Sequence, residues 1–122
     1  MIIVEGISHV NIGVTDLEVS SKFYADIFDF EVIDDKDSNS VTMTLDPIKI
    51  KLIKLDKVQN QLSSMSFPTL SFILDVDDFT EAISELEEKS IKIVKGPEGI
   101  EDGECLYFKD PDNNLIEIFY KG

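Results

Sequence analysis

The sequence predicts an α+β protein built from two βαβββ modules, with a mainly antiparallel sheet covered by helices on one face. Three observations carry that prediction. The chain contains an internal repeat, each half runs strand, helix, strand, strand, strand, and the apolar segments are short and alternating. Laying Ile7–Leu17 over Thr69–Phe79 shows the repeat. At a constant spacing of 62 residues Val14 meets Val76, Asp16 meets Asp78 and Leu17 meets Phe79.

The elements follow in order. Ile7 to Val14 reads as the first strand, and Thr15 with Glu18 has capping-box spacing for the helix after it. That helix shows an imperfect apolar stripe of Leu17, Phe23, Tyr24 and Ile27. Phe30–Ile33 is the second strand, Asp34 to Ser40 a polar turn, and Val41–Leu45 a third strand alternating at period two. Asp46-Pro47 turns the chain into a fourth, Ile48 to Leu55, which sets Ile48, Ile50 and Leu52 against Lys49 and Lys51. A polar connector occupies 56–67. The fifth strand surrounds Ser71, and Asp78 with Glu81 caps a helix whose stripe is Phe79, Ala82, Ile83 and Leu86. Ile91–Val94 is a strand, Gly96-Pro97-Glu98-Gly99 a loop, and Glu104–Lys109 a strand. A turn over Asp110–Asn114 leads into the last strand, Leu115–Tyr120. The expected organisation is one domain over 1–122, with module one at 5–55 and module two at 68–121.

Composition excludes several classes. The 122 residues carry 25 Asp+Glu against 11 Lys+Arg, a net charge of −14, and every base is lysine. Such a chain lacks the basic footprint of a nucleic-acid binder and the bidentate guanidinium clamp for carboxylate or phosphate. A single cysteine, Cys105, precludes a disulfide framework and reads as a small core residue. Met1–Glu5 lacks the basic start and long apolar run of a signal peptide, and no apolar stretch is long enough to cross a bilayer. The expectation is a cytoplasmic protein with no membrane or nucleic-acid partner.

Strand alternation singles out the candidate functional residues. The apolar sets of the first and fifth strands pack on helices, which turns His9, Asn11 and Ser71 toward the opposite face. In the last strand Glu117 stands among Leu115, Ile116, Ile118 and Phe119, a costly setting for a carboxylate without a cation or metal. By the repeat, His9 matches Ser71, and Lys51 matches Glu117 in the fourth strand of its half. These four side chains are expected to converge near a pseudo-twofold axis. The uncovered sheet face either closes on its counterpart or is solvated.

The opening run from His9 to Leu17, followed by Ser21-Lys22-Phe23-Tyr24, and the closing run from Phe108 to Glu117 resemble the glyoxalase / bleomycin-resistance / extradiol dioxygenase superfamily, the vicinal oxygen chelate fold. The resemblance covers Ile7 to Tyr120, although Phe28-Asp29-Phe30 stands where the family usually has Leu-Gly-Phe. It implies a cup-shaped mixed sheet with helices outside, often completed by a homodimer. In metal-dependent members a divalent ion is held by His on the first strand, Glu or Gln on the fourth, His on the fifth and Glu on the last. Carried over by position, His9 and Glu117 match, while Lys51 and Ser71 do not.

Two functions follow as expectations. The favoured one is a small-molecule-binding protein without a complete metal site or other cofactor. In it Lys51 neutralises Glu117, and Asn11, Lys51, Ser71, Tyr107 and Thr69 contact the ligand. The alternative is a lyase, isomerase or dioxygenase. There His9 and Glu117 hold Ni, Zn, Mn or Fe, and Glu117 doubles as the catalytic proton shuttle. The lysines at 49, 51, 54 and 57 form a local basic patch suited to an anionic ligand or a dimer contact.

Overall fold

A computed structural model describes residues 1–56, 68–100 and 102–121, so the predicted connector lies outside the described residues from 57 onward, as does Lys57 of the basic patch. The chain divides into two compact units, Met1–Val58 and Gln59–Gly122. Each is α+β, with one helix and one four-stranded mixed sheet.

Module one contains β1 (Val10–Val14), α1 (Leu17–Phe28), β2 (Glu31–Asp34), β3 (Ser40–Leu45) and β4 (Ile48–Lys54), with sheet order β1-β4-β3-β2. β1 runs parallel to β4, and the other two pairings are antiparallel. Alternation decides the faces: Ile12, Val14, Val41, Met43, Ile50 and Leu52 are all buried, and α1 covers them. The helix contributes Tyr24, whose ring meets Phe30 edge-on at 6.2 Å, and Ser20 is small enough to lie at the contact.

The N-cap of α1 differs from the expected capping box. Asp16, rather than Thr15, occupies the cap, its carboxylate accepting from the backbone N–H groups of Glu18 and Val19 at 3.0 and 3.1 Å. A carboxylate one residue later satisfies two orphan donors at once. The first strand is also shorter than expected and starts at Val10, leaving Ile7 and His9 outside it.

Module two repeats the layout with β5 (Leu70–Ile73), α2 (Phe79–Glu88), β6 (Ile93–Ile100), β7 (Gly103–Lys109) and β8 (Leu115–Lys121), in sheet order β5-β8-β7-β6. Leu106, Phe108, Ile116 and Ile118 are buried, as are Phe79 and Leu86 of α2. Phe79 stacks on Tyr120 at 5.8 Å, and the Tyr120 hydroxyl donates to the Asp77 carbonyl at 3.0 Å, tying the start of α2 to β8. Asp78 caps α2 as expected, accepting from the Thr80 N–H at 2.9 Å. Between β7 and β8, buried Asp110 organises the turn by accepting from the N–H groups of Asp112 and Asn114 and from the Asn114 side-chain amide, each at 2.9 Å.

One expected loop is a strand. Gly96-Pro97-Glu98-Gly99 lies inside β6, which pairs antiparallel with β7 through register shifts on either side of Lys95. Gly96 permits the irregularity with φ +93°, and a side chain there would press on the Cys105 carbonyl oxygen at 2.8 Å. No helix among the described residues is long and apolar enough to cross a membrane.

Candidate functional site

The open face of the module-two sheet, opposite α2, carries a polar row. β8 is a central strand between β5 and β7, and its Glu117 has Ser71 as register partner on one side and Tyr107 on the other. Both neighbours bond to it. The Ser71 hydroxyl donates to Glu117 Oε1 at 2.6 Å, and the Tyr107 hydroxyl donates to the same carboxylate. That bond is the main reason the Tyr107 phenol is held well above the usual tyrosine range, with burial adding to it.

The row continues into β7 and β6. Cys105 is fully buried, and its thiol lies 3.9 Å from the Tyr107 hydroxyl and 4.0 Å from Glu98 Oε1. Burial pushes the Cys105 thiol up, the Tyr107 bond opposes that, and the carboxylates of Glu117 and Glu98 reinforce it. A thiol so placed stays protonated and acts as a weak donor rather than a nucleophile. At the outer edge Lys95 Nζ sits 5.6 Å from the centre of the Tyr107 ring and 3.8 Å from Glu98 Oε1. Both side chains of that ion pair are well exposed, so it orients more than it stabilises.

The equivalent row of module one has the opposite charge. β4 is a central strand there, and Lys51 has Asn11 of β1 and Thr42 of β3 as register partners. Lys51 is partly buried, its stem lying on the sheet while Ile50 and Leu52 fill the core on the other side.

The register corrects the predicted matching of the two halves. Ser71 sits beside Glu117, and the residue beside Lys51 is Asn11, not His9. Asn11 and Ser71 are 60 residues apart, whereas the cap residues Asp16 and Asp78 are 62 apart. Two additional residues between β5 and α2 account for the change in spacing. His9 is exposed and lies just before β1, its Nδ1 within 2.9 Å of the Ser8 hydroxyl. Thr69 lies just before β5, where its N–H donates to the Leu115 carbonyl at 2.8 Å.

These residues are a poor donor set for the divalent ion that the resemblance implies. Of the four ligand places, β4 presents the Lys51 ammonium and β5 the Ser71 hydroxyl, which is engaged with Glu117. Neutral hydroxyl and cationic ammonium groups do not replace imidazole and carboxylate as ligands. Among the described residues no group of three or more His, Cys, Asp or Glu is placed to hold a metal ion. The carboxylate at Glu117 also needs no cation to be hydrogen-bonded, because two hydroxyls serve it.

Glu98, Lys95 and Thr42 went unnoticed in the sequence. Thr42 was legible from its alternation with buried Val41 and Met43. Glu98 and Lys95 were hidden by a glycine-proline stretch that reads locally as a loop.

Two βαβββ modules with the sheet order and parallel first-to-fourth pairing described above define the vicinal oxygen chelate class of α+β proteins. The sequence model of the Glyoxalase/Bleomycin resistance protein/Dioxygenase superfamily matches residues 6–118, and the chain belongs to that superfamily. Among its relatives is the metallothiol transferase FosB of Staphylococcus epidermidis, 29% identical over 116 residues that cover 94% of this chain and 81% of the relative. Among solved structures the fosfomycin resistance protein FosX of Listeria monocytogenes superposes with a TM-score of 0.83 at 20% identity, covering 98% of this chain and 94% of that one. A variant of FosX solved with Mn(II) and 1S,2S-dihydroxypropylphosphonic acid gives a TM-score of 0.80 at 22% identity, with 96% and 90% covered.

Proposed function

We propose that this protein binds a small polar organic molecule on the open sheet face without a resident divalent metal. The observation that carries the reading is the Ser71–Glu117–Tyr107 row, in which two hydroxyls hold a carboxylate at a place where metal-dependent relatives put ligands. An ionised carboxylate has about four lone-pair sites, so Glu117 can still accept from a ligand hydroxyl or amine after its two internal bonds. Ser71 and Tyr107 fix the orientation of that acceptor, and the weak Cys105 thiol backs the Tyr107 hydroxyl. The row positions and accepts; it has neither an activated nucleophile nor a Lewis acid of its own. In cells the protein would work as a soluble homodimer in the cytoplasm.

The first ligand to try is the dihydroxypropylphosphonic acid found with FosX, and the panel adds simple vicinal diols and hydroxy acids, whose hydroxyls can donate to Glu117. Thermal unfolding of the purified chain is followed with this panel in EDTA and again with Mn(II). The expected outcome is a ligand-dependent rise in Tm that is equal in both conditions and reduced in Glu117→Gln and Ser71→Ala. A rise that appears only with Mn(II), and disappears in His9→Ala and Glu117→Ala, would overturn the reading in favour of metal-dependent chemistry. A flat response across the panel in both conditions would overturn it as well.

A further inference from the structure

We infer that the open face of module two selects a primary amine with a short apolar tail, the ammonium seated on the Ser71–Glu117–Tyr107 row and the tail on Phe119 and Ile73. The inference rests on the small-molecule-binding reading above and narrows it to this class of ligand. All the residues involved belong to module two.

The row offers acceptors and little else. The Ser71 hydroxyl donates to Glu117 Oε1 at 2.6 Å and the Tyr107 hydroxyl donates to the same carboxylate, so both hydroxyl hydrogens are committed. What faces a ligand is the remaining lone pairs of the carboxylate and of the two hydroxyl oxygens. Ser71 is exposed, and Glu117 and Tyr107 are half-buried, so these acceptors are within reach. An ammonium carries three donors and no acceptor, the complement of such a row. A carboxylate ligand would bring only acceptors and a repelling charge.

Glu117 is hydrogen-bonded but not neutralised within its module. The ion pairs of module two among the described residues are Lys89–Glu85 and Lys95–Glu98. A neutral ligand lying over Glu117 would strip water from an unpaired charge, whereas an ammonium supplies the missing cation. Module two already shows such a pairing with a lysine of its own. The Lys95 ammonium lies 3.8 Å from Glu98 Oε1 and 5.6 Å from the centre of the Tyr107 ring, a carboxylate with a phenol beside it. Glu117 has the same phenol beside it, and no lysine of module two pairs with it among the described residues. The net charge of −14 favours the approach of a cation and opposes that of an anion.

The tail has its own place. Two residues along β8 from Glu117, about 7 Å away and on the same face, stands half-buried Phe119. Its register partners are Ile73 of β5 and Cys105 of β7. Ile73 is 76% exposed, although its strand is paired to the sheet. An acceptor row beside an apolar row matches a ligand with both characters, and an amine with a butyl-sized tail spans the step.

The test uses the full chain, in EDTA and low salt, with four probes: butylamine, butan-1-ol, butyrate and methylammonium. Binding is followed by isothermal titration and by amide chemical shifts. Butylamine should perturb the amides of β5, β7 and β8 and bind about ten-fold or more tightly than butan-1-ol, with butyrate weaker still. Methylammonium, which lacks the tail, should bind about ten-fold more weakly than butylamine. Glu117→Gln should abolish the preference for butylamine over butan-1-ol. Glu104→Gln removes an equal charge from the helix side of β7, and its butylamine affinity should stay within about two-fold of wild type. Ile73→Ser should weaken butylamine and leave methylammonium unchanged. Circular dichroism checks that each variant is folded, and Glu117→Met, of similar length, serves if Glu117→Gln is not. Equal affinity for butylamine and butan-1-ol would overturn the inference, and so would a preference for the amine that survives in Glu117→Gln. Failure of the underlying reading looks different. In that case neither these probes nor the diols move the β5, β7 and β8 amides unless Mn(II) is added, which also excludes the amine site.

Discussion

The two modules share a topology and differ in the charge at its centre. In module one the middle of β4 carries a cation with neutral neighbours, Asn11 and Thr42; in module two the middle of β8 carries an anion that Ser71 and Tyr107 already serve. The cores differ too. Module one anchors α1 through a cluster of Phe23, Tyr24, Phe28 and Phe30, whereas module two ties α2 down with the Phe79–Tyr120 stack and the hydroxyl bond to Asp77. A duplicated scaffold therefore conserves strand order and burial while its open-face residues diverge. Packing constrains the helix side of each sheet, because a change there leaves a cavity or a clash. Packing constrains the other side less, apart from buried Cys105, so chemistry can vary there.

The largest expected effect breaks the comparison at the second strand of each module. Both β2 and β6 carry a register shift, between Val32 and Asp34 in the first and around Lys95 in the second. Only the second depends on a glycine. Gly96→Val would force a side chain onto φ +93° and into the Cys105 carbonyl, at a cost of about 2–4 kcal/mol. Ile33 lies in the equivalent irregularity with its side chain half in solvent, and Ile33→Ala should cost under about 1 kcal/mol. Urea unfolding of both variants measures the difference. Equal losses would mean that the β6 bulge is not held by Gly96.

A second prediction sharpens the contrast between the rows. The Tyr107 phenol is raised chiefly by its bond to the Glu117 carboxylate, then by burial. A raised folded value favours the protonated native state at pH values below the ordinary tyrosine pKa of about 10. That contribution is lost as pH rises through the folded value. Tyr107 should therefore form tyrosinate, followed by its absorbance, at higher pH in the folded wild-type chain than in Glu117→Gln. The stability advantage of wild type over Tyr107→Phe should shrink in strongly alkaline solution. An ordinary titration of Tyr107 in wild type would remove the hydroxyl clamp from the site.

How much of this was legible in advance depends on the range of the interaction. Asp78 was readable as a cap because capping is decided within three residues. Thr15 with Glu18 has capping-box spacing, and only the backbone shows that it is the Asp16 carboxylate that reaches the free N–H groups. The loop assigned to Gly96–Gly99 followed from local chemistry, and pairing with β7 overrode it. Alternation puts Ser71 on the open face, and Glu117 stands out as a carboxylate in an apolar strand. Their bond was not legible, since it requires β5 to lie parallel beside β8, across 46 residues of sequence. Aligning the repeat on its helix starts then paired His9 with Ser71, because the two extra residues before α2 carry no marker of their own.

The smallest effect tests whether the two helix starts are as equivalent as the repeat suggests. Asp16 accepts from two backbone N–H groups and Asp78 from one, although both helices place a glutamate in the first turn. Asp16→Ala should cost about 1 kcal/mol, and Asp78→Ala should cost less than that. The Asp78 carboxyl is held below the ordinary aspartate range by the backbone N–H and the side chain of Thr80. A depressed folded value means that the ionised cap stabilises the native state above the ordinary aspartate pKa and stops doing so as pH falls through the folded value. The gap in urea midpoint between wild type and Asp78→Ala should accordingly be open at about pH 6 and narrow by about pH 2.5. Should that gap stay constant, the charge of Asp78 contributes nothing to capping. Its role at the start of α2 would then reduce to geometry, with the Tyr120–Asp77 bond and the Phe79 stack holding the helix in place.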